Sequence, residues 1–117
     1  LRSLSPEHPD YRPRYTGDQL ERDGSYHQGT VWAWLLGPYL RAVMHFKSEE
    51  GTDRARKILD SMSEHLREAG VGSVSEIFDA KPPHHPRGCI AQAWSVAELL
   101  RVCREMDTEN NSQYDLE

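Results

Sequence analysis

Glu76 stands in the run Ser75-Glu76-Ile77-Phe78-Asp79, with Val74, Ile77 and Phe78 as apolar anchors on both sides. A carboxylate held beside apolar groups and other charges can have a shifted proton affinity and serve as a general acid or base. The competing reading makes Glu76 an exposed loop glutamate, and Asp79 fits the start of a turn equally well. A second group is Tyr26-His27-Gln28-Gly29-Thr30-Val31-Trp32. It gathers aromatic faces and hydrogen-bonding side chains just before an apolar run. Sugars need that combination, because they present apolar ring faces edged by hydroxyls. The alternative is that Tyr26 and Trp32 anchor a core and His27 satisfies backbone groups.

Other chemistries find little support. The six histidines (8, 27, 45, 65, 84 and 85) include no i,i+4 pair, and Cys89 and Cys103 form no C-x-x-C arrangement. Neither pattern matches a zinc site, so no metal is expected. No glycine-rich phosphate loop, G-x-G-x-x-G or G-x-S-x-G occurs, and no cofactor is expected. The formal net charge is −5. It belongs to the C-terminus: Glu105, Asp107, Glu109, Asp115 and Glu117 have no basic neighbour there, while residues 1–104 carry 14 acidic and 14 basic groups. A neutral body argues against nucleic acid as a partner. No run of 18 apolar residues exists to span a membrane. If they share a helix, Cys89 and Cys103 lie about 21 Å apart, too far for a disulfide, and a reducing compartment is expected.

The elements that must position these residues follow from periodicity. Residues 1–29 are polar and carry Pro6, Pro9 and Pro13 with Tyr11, Tyr15 and Tyr26. So long a stretch without a helix pattern is either a packed functional loop or a disordered arm; its Tyr and Arg content favours packing. A first helix is expected from an N-cap at Thr30 to Phe46, with Trp32, Leu35, Leu36, Tyr39, Leu40, Val43 and Phe46 on one face. Gly37-Pro38 should kink it. After a break at Ser48–Thr52, a second helix is expected over Asp53–Ala69, with one narrow apolar stripe and Gly70 as its C′ residue. Residues 70–88 read as a long connection. A third helix, from Cys89 or Ile90 to Met106, is apolar on two sides. The acidic tail from Asp107 reads as disordered, and its Leu116-Glu117 ending as a possible vector remnant. Two double-faced helices around a single-faced one cannot bury themselves. The missing surface must come from another chain or from further sequence, and a toroid of inner and outer helices produces this alternation.

The run Gly24-Ser25-Tyr26-His27-Gln28-Gly29-Thr30-Val31-Trp32-Ala33-Trp34-Leu35-Leu36-Gly37-Pro38 resembles the bacterial and archaeal-type glycogen debranching enzymes, the amylo-α-1,6-glucosidases. So do Ser75–Asp79 and the run from Pro83 through Arg87, Gly88, Gln92 and Trp94 to Ser95. The opening Leu1–Ser5 and the stretch from Gly17-Asp18 to Asp23-Gly24 also fit. The resemblance covers residues 1–105 in order. Ala33 departs from the proline common in relatives, and Lys81-Pro82 lies in a variable stretch.

This resemblance implies an all-α fold, the last inner-outer-inner helices of an (α/α)6 barrel, with residues 1–106 forming the C-terminal part of its catalytic domain and 107–117 the tail. It implies hydrolysis of α-1,6 branch linkages by inversion, with Glu76 as general base and the general acid on an earlier loop outside these residues. Inversion separates the two carboxyls by about 6.5–9.5 Å. Tyr26, His27, Gln28 and Trp32 would line the glucose subsite, with Trp94 as a further contact. Apart from the resemblance, the charge of Arg87 is expected to hold the Glu76 loop by pairing. The implied partners are glycogen or another branched α-glucan and the rest of the parent domain, in the cytoplasm. The isolated piece is expected to be inactive and to self-associate through uncovered helix faces. The runners-up are a free-standing helical interaction module and another glycosidase on the same barrel.

Overall fold

The computed structural model describes residues 1–114, with the side chains of Ser48 and of residues 109–114 left aside. Three short strands hold its centre together: β1 (Val31–Trp32), β2 (Ile77–Phe78) and β3 (Pro86–Arg87). Val, Ile, Phe and Trp fit a half-buried pleated surface. The strands pair antiparallel in the order β1-β2-β3, with Val31 opposite Phe78, Trp32 opposite Ile77, Ile77 opposite Arg87 and Phe78 opposite Pro86. The chain start extends this ladder through a bridge from Arg2 to Val31 and a Trp32 N–H bond to the Leu1 carbonyl (2.9 Å). The chain is mostly helical, but the purely all-α expectation misses this sheet. Its strands are two residues each, too short to leave a period in the sequence.

Three helices surround the sheet: α1 (Gln19–Ser25), α2 (Leu36–His65) and α3 (Ala93–Tyr114). A straight 30-residue helix would be about 45 Å long, and α2 is not straight. Leu40 and Met44 share a core with Ala55, and the Arg54 guanidinium lies 5.9 Å above the Tyr39 ring. The helix therefore doubles back into two limbs. At the bend the Gly51 backbone presses on the Val43 carbonyl, where any Cβ would collide. Residues eight apart in a straight helix stand about 12 Å apart along the axis, so only a sharp bend permits this approach. The expected break at Ser48–Thr52 thus corresponds to a reversal, although helical backbone continues through it.

The core lies between the α2 limbs, α3 and the sheet. Leu40, Met44, Ala55, Val102 and Met106 form one cluster; Ala33, Val74, Phe78 and Leu99 form another beneath the strands. Several boundaries differ from expectation. Thr30 caps no helix: its hydroxyl donates to the Tyr26 carbonyl (2.6 Å), and the chain extends into β1. Because α2 starts at Leu36, Pro38 falls in its first turn, where a missing N–H needs no helical partner, and no kink is required there. Met44, which is not on the expected apolar face, is buried, while Phe46, which is, is 81% exposed. The second limb ends at His65, and the positive φ after it belongs to Gly72 (+81°), not Gly70. Helix α3 starts at Ala93 and continues past Met106 to Tyr114, so the tail expected to be disordered begins as helix; residues 115–117 lie outside the described residues. Only one of its two expected faces is covered, and Ile90, Trp94 and Leu100 stay exposed.

The N-terminal segment is packed rather than loose. Pro13 accepts a bond from Ala80 N–H (2.7 Å), and Tyr15 N–H donates to the Asp79 carboxylate (2.9 Å). Within it, α1 carries a capping box: Asp18 accepts from Glu21 N–H and Glu21 accepts from Asp18 N–H, both at 2.9 Å.

Candidate active site

The sheet brings the two sequence motifs side by side. Pairing of Trp32 with Ile77 sets the Tyr26–Trp32 segment against the Glu76 segment. The Tyr26 carbonyl is fixed by the Thr30 hydroxyl (2.6 Å) and the Trp32 indole N–H (3.2 Å). That turn aims the Tyr26 ring at Glu76, and its hydroxyl donates to Glu76 Oε1 in a short hydrogen bond. Gln92 Nε2 donates to the same oxygen at 3.3 Å, and the Cys89 N–H donates to Oε2 at 3.1 Å. The Glu76 backbone is also strapped down: its N–H meets the Cys89 carbonyl at 2.9 Å and its carbonyl accepts from Ala33 N–H at 3.4 Å.

All three partners of the Glu76 carboxylate are donors, and together they fix the direction of its two oxygens. Burial pushes the Tyr26 phenol above its ordinary value, and the hydrogen bond and charge of Glu76 push it further. Tyr26 therefore keeps its proton and remains a donor. An ionised carboxylate offers about four lone-pair sites; three are filled here, and Oε2 retains room for one more donor, such as a water.

Glu76 forms part of the wall of a cavity of about 510 Å³, with Ser3, Tyr26, His27, Trp32, Trp34, Leu35 and Trp94 around it. Its aromatic lining is ordered. His27 stacks on Trp32 with ring centres 4.9 Å apart and planes 4° apart, and Tyr26 meets Trp32 edge-on at 4.8 Å. Trp94 stacks on Trp34 at 5.6 Å and turns an edge to Trp32 at 6.3 Å. Such flat faces beside a carboxylate suit a ring with one apolar face and a hydroxylated rim. Among the described residues Glu76 is the one carboxylate in this lining. A second cleft of about 300 Å³ lies between Leu36, Met62, Phe78 and His84, with Glu64, His65 and Glu68 also in its wall, and Glu76 does not line it.

Of the residues singled out in the sequence, Glu76, Tyr26, His27, Trp32 and Trp94 meet at this cavity. Gln28 does not line it; its carbonyl accepts from Arg12 N–H (2.6 Å) and its N–H donates to Ser25 (3.0 Å). Arg87 holds the loop through Asp79, which is fully buried: its Nε and Nη2 lie 3.2 and 3.0 Å from one Asp79 oxygen. Sequence reasoning missed Gln92 and Trp34. Gln92 was visible as the polar residue just before the α3 start. Trp34 falls outside the apolar face of a helix beginning at Thr30, so periodicity does not single it out.

Fold and site together define a helical unit that presents a donor-ringed carboxylate on an aromatic-lined cleft. The family described as amylo-alpha-1,6-glucosidase matches residues 1–101, and the chain belongs to that family. It is also 40% identical over 52 residues to the glycogen debranching enzyme of Saccharomyces cerevisiae (strain ATCC 204508 / S288c). That match covers 39% of this chain and 3% of the yeast protein, so the chain spans a small part of that relative. No solved structure matches the chain.

Proposed function

We propose that this chain is the C-terminal part of a glycogen debranching enzyme that hydrolyses α-1,6-glucosidic branch linkages with inversion, and that Glu76 is its general base. The observation that carries the reading is the ring of three donors, without an acceptor, around the Glu76 carboxylate. Three donors fix the direction of the carboxylate and leave one position at Oε2 for a water. The aromatic cluster of His27, Trp32, Tyr26 and Trp94 receives the branch glucose, and Gln28 supports the turn that carries Tyr26 and His27. Water bound at Oε2 loses its proton to Glu76 as its oxygen attacks the anomeric carbon. The bond from that carbon to the branch oxygen breaks, and a carboxylic acid elsewhere in the parent domain protonates the departing oxygen. No cofactor takes part.

In this reading the two α2 limbs and α3 are the last inner, outer and inner helices of an (α/α)6 toroid, and the exposed Ile90, Trp94 and Leu100 face the remainder of that domain. A cytoplasmic setting fits the two free cysteines, Cys89 and Cys103. The test is proton NMR of the full-length parent acting on a dextrin with single α-1,6-linked glucose branches. Free glucose must appear first as the β anomer. Initial α-glucose, or no glucose at all, overturns the proposal.

A further inference from the structure

His65 is a buried titratable group that the proposed reaction does not use. It ends the second limb of α2 and is 6% exposed. Its Nε2 accepts the backbone N–H of Ser75 at 3.1 Å. With Nε2 an acceptor, the ring proton sits on Nδ1, which faces a Glu68 carboxylate oxygen at 3.1 Å. The Phe78 ring meets the imidazole edge-on at 4.7 Å, so both sides of the following segment bear on it.

Ser75 is fully buried and immediately precedes Glu76. The backbone of residues 74–76 is tied on one side to the approach of α3, through Gln92 N–H to the Val74 carbonyl (2.9 Å) and Glu76 N–H to the Cys89 carbonyl (2.9 Å). Among the described hydrogen bonds, His65 supplies the tie to α2. Without that acceptor Ser75 keeps a buried donor with no partner, and a segment in that state relieves it by moving toward water.

We infer that His65 is a positioning residue for Glu76: through the Ser75 N–H it fixes the distance of the carboxylate from the sugar cleft. This rests on the proposed role of Glu76. The sugar itself is held by aromatic rings on the Tyr26–Trp32 segment and α3, which His65 does not touch. Its loss must therefore lower turnover and leave substrate affinity alone.

The test compares His65→Gln, His65→Asn and His65→Phe in the full-length parent, with glucose release from a branched dextrin as the readout. Glutamine places its amide oxygen where Nε2 stood and reaches Ser75; asparagine, one methylene shorter, does not. Misplacement of a reacting group by about 1 Å costs on the order of 100-fold, so His65→Asn and His65→Phe should lower kcat by about 10- to 100-fold with KM unchanged. His65→Gln should restore kcat close to the native value. Equal kcat for the Gln and Asn variants overturns the inference, as does a rise in KM that matches the fall in kcat. If the Phe variant does not fold, the Gln–Asn pair decides. Glu76→Gln is measured alongside. If it retains native turnover, the role of Glu76 fails; if it is inactive while His65→Asn is fully active, only the role of His65 fails.

Discussion

Replacing Gly88 by alanine presses directly on the carboxylate. Gly88 has φ +66°, in the left-handed region, and a Cβ there would stand 2.5 Å from Glu76 Oε2 and 3.0 Å from Ile77 Cγ1. Carbon–oxygen contacts settle at about 3.3 Å or beyond, so Oε2 must withdraw by about 0.8 Å. The same oxygen accepts the Cys89 N–H at 3.1 Å, and that bond is lost with it. Two consequences separate cleanly. The left-handed backbone alone costs about 1–2 kcal/mol for an L side chain. The displaced base should cost turnover on the order of 100-fold, as for other misplacements near 1 Å. Gly72→Ala is the control: Gly72 has φ +81° with nothing within 4 Å of its would-be Cβ. It should lose similar local stability and keep its turnover. Steady-state kcat and KM of both variants in the full-length parent, with hydrogen exchange at each loop, give the comparison. A Gly88→Ala enzyme as fast as Gly72→Ala would refute the reasoning.

Tyr26→Phe removes one of the three donors that hold the Glu76 carboxylate in place. A hydrogen bond to a charged group is worth about 1.5–3 kcal/mol, and about 1.4 kcal/mol of barrier is tenfold in rate. Turnover of Tyr26→Phe should therefore fall by about 10- to 100-fold, and native turnover in that variant contradicts the donor ring. Arg87→Met leaves the fully buried Asp79 carboxylate with the Tyr15 N–H as its one remaining partner among the described hydrogen bonds. Hydrogen exchange of amides 77–80 should report a local loss of about 3 kcal/mol, partly recovered by adding Asp79→Asn. The isolated 117-residue chain should release no glucose from a branched glucan and should sediment as a dimer or larger, because Phe46, Ile90 and Leu100 are uncovered. Measurable glucose release or a clean monomer runs against the reading of a part cut from a larger domain.

The candidate site was more legible in the sequence than the fold that carries it. Glu76 between apolar anchors, and Tyr26, His27 and Trp32 grouped before an apolar run, are composition signals that survive without knowing the backbone. Secondary structure near the site was harder. Thr30 resembles an N-cap, but the competing partner is the Tyr26 carbonyl, four residues back, and a two-residue strand cannot announce itself by alternation. Helix α1 has Leu20 as its one large apolar residue, 81% exposed, so no stripe reveals it. Its signal was the Asp18–Glu21 capping box. Bends escape periodicity as well. The Ser48–Thr52 interruption was visible, but a sharp reversal with continuous helical backbone depends on Gly51 fitting against Val43. Gln92 became significant only once β2 and the start of α3 were adjacent. Arg87 was expected to hold the Glu76 loop by charge pairing, but its partner, the buried Asp79, became visible only in the structure.

Glu76→Gln in the full-length parent tests the central claim most directly. The substitution keeps the shape of the side chain and removes its ability to take a proton from water. General-base assistance contributes about 100- to 10,000-fold, so turnover of a branched dextrin should fall by that order while calorimetric affinity for the dextrin persists. Native turnover in the Glu76→Gln enzyme would remove Glu76 as the base and, with it, the function built on this site.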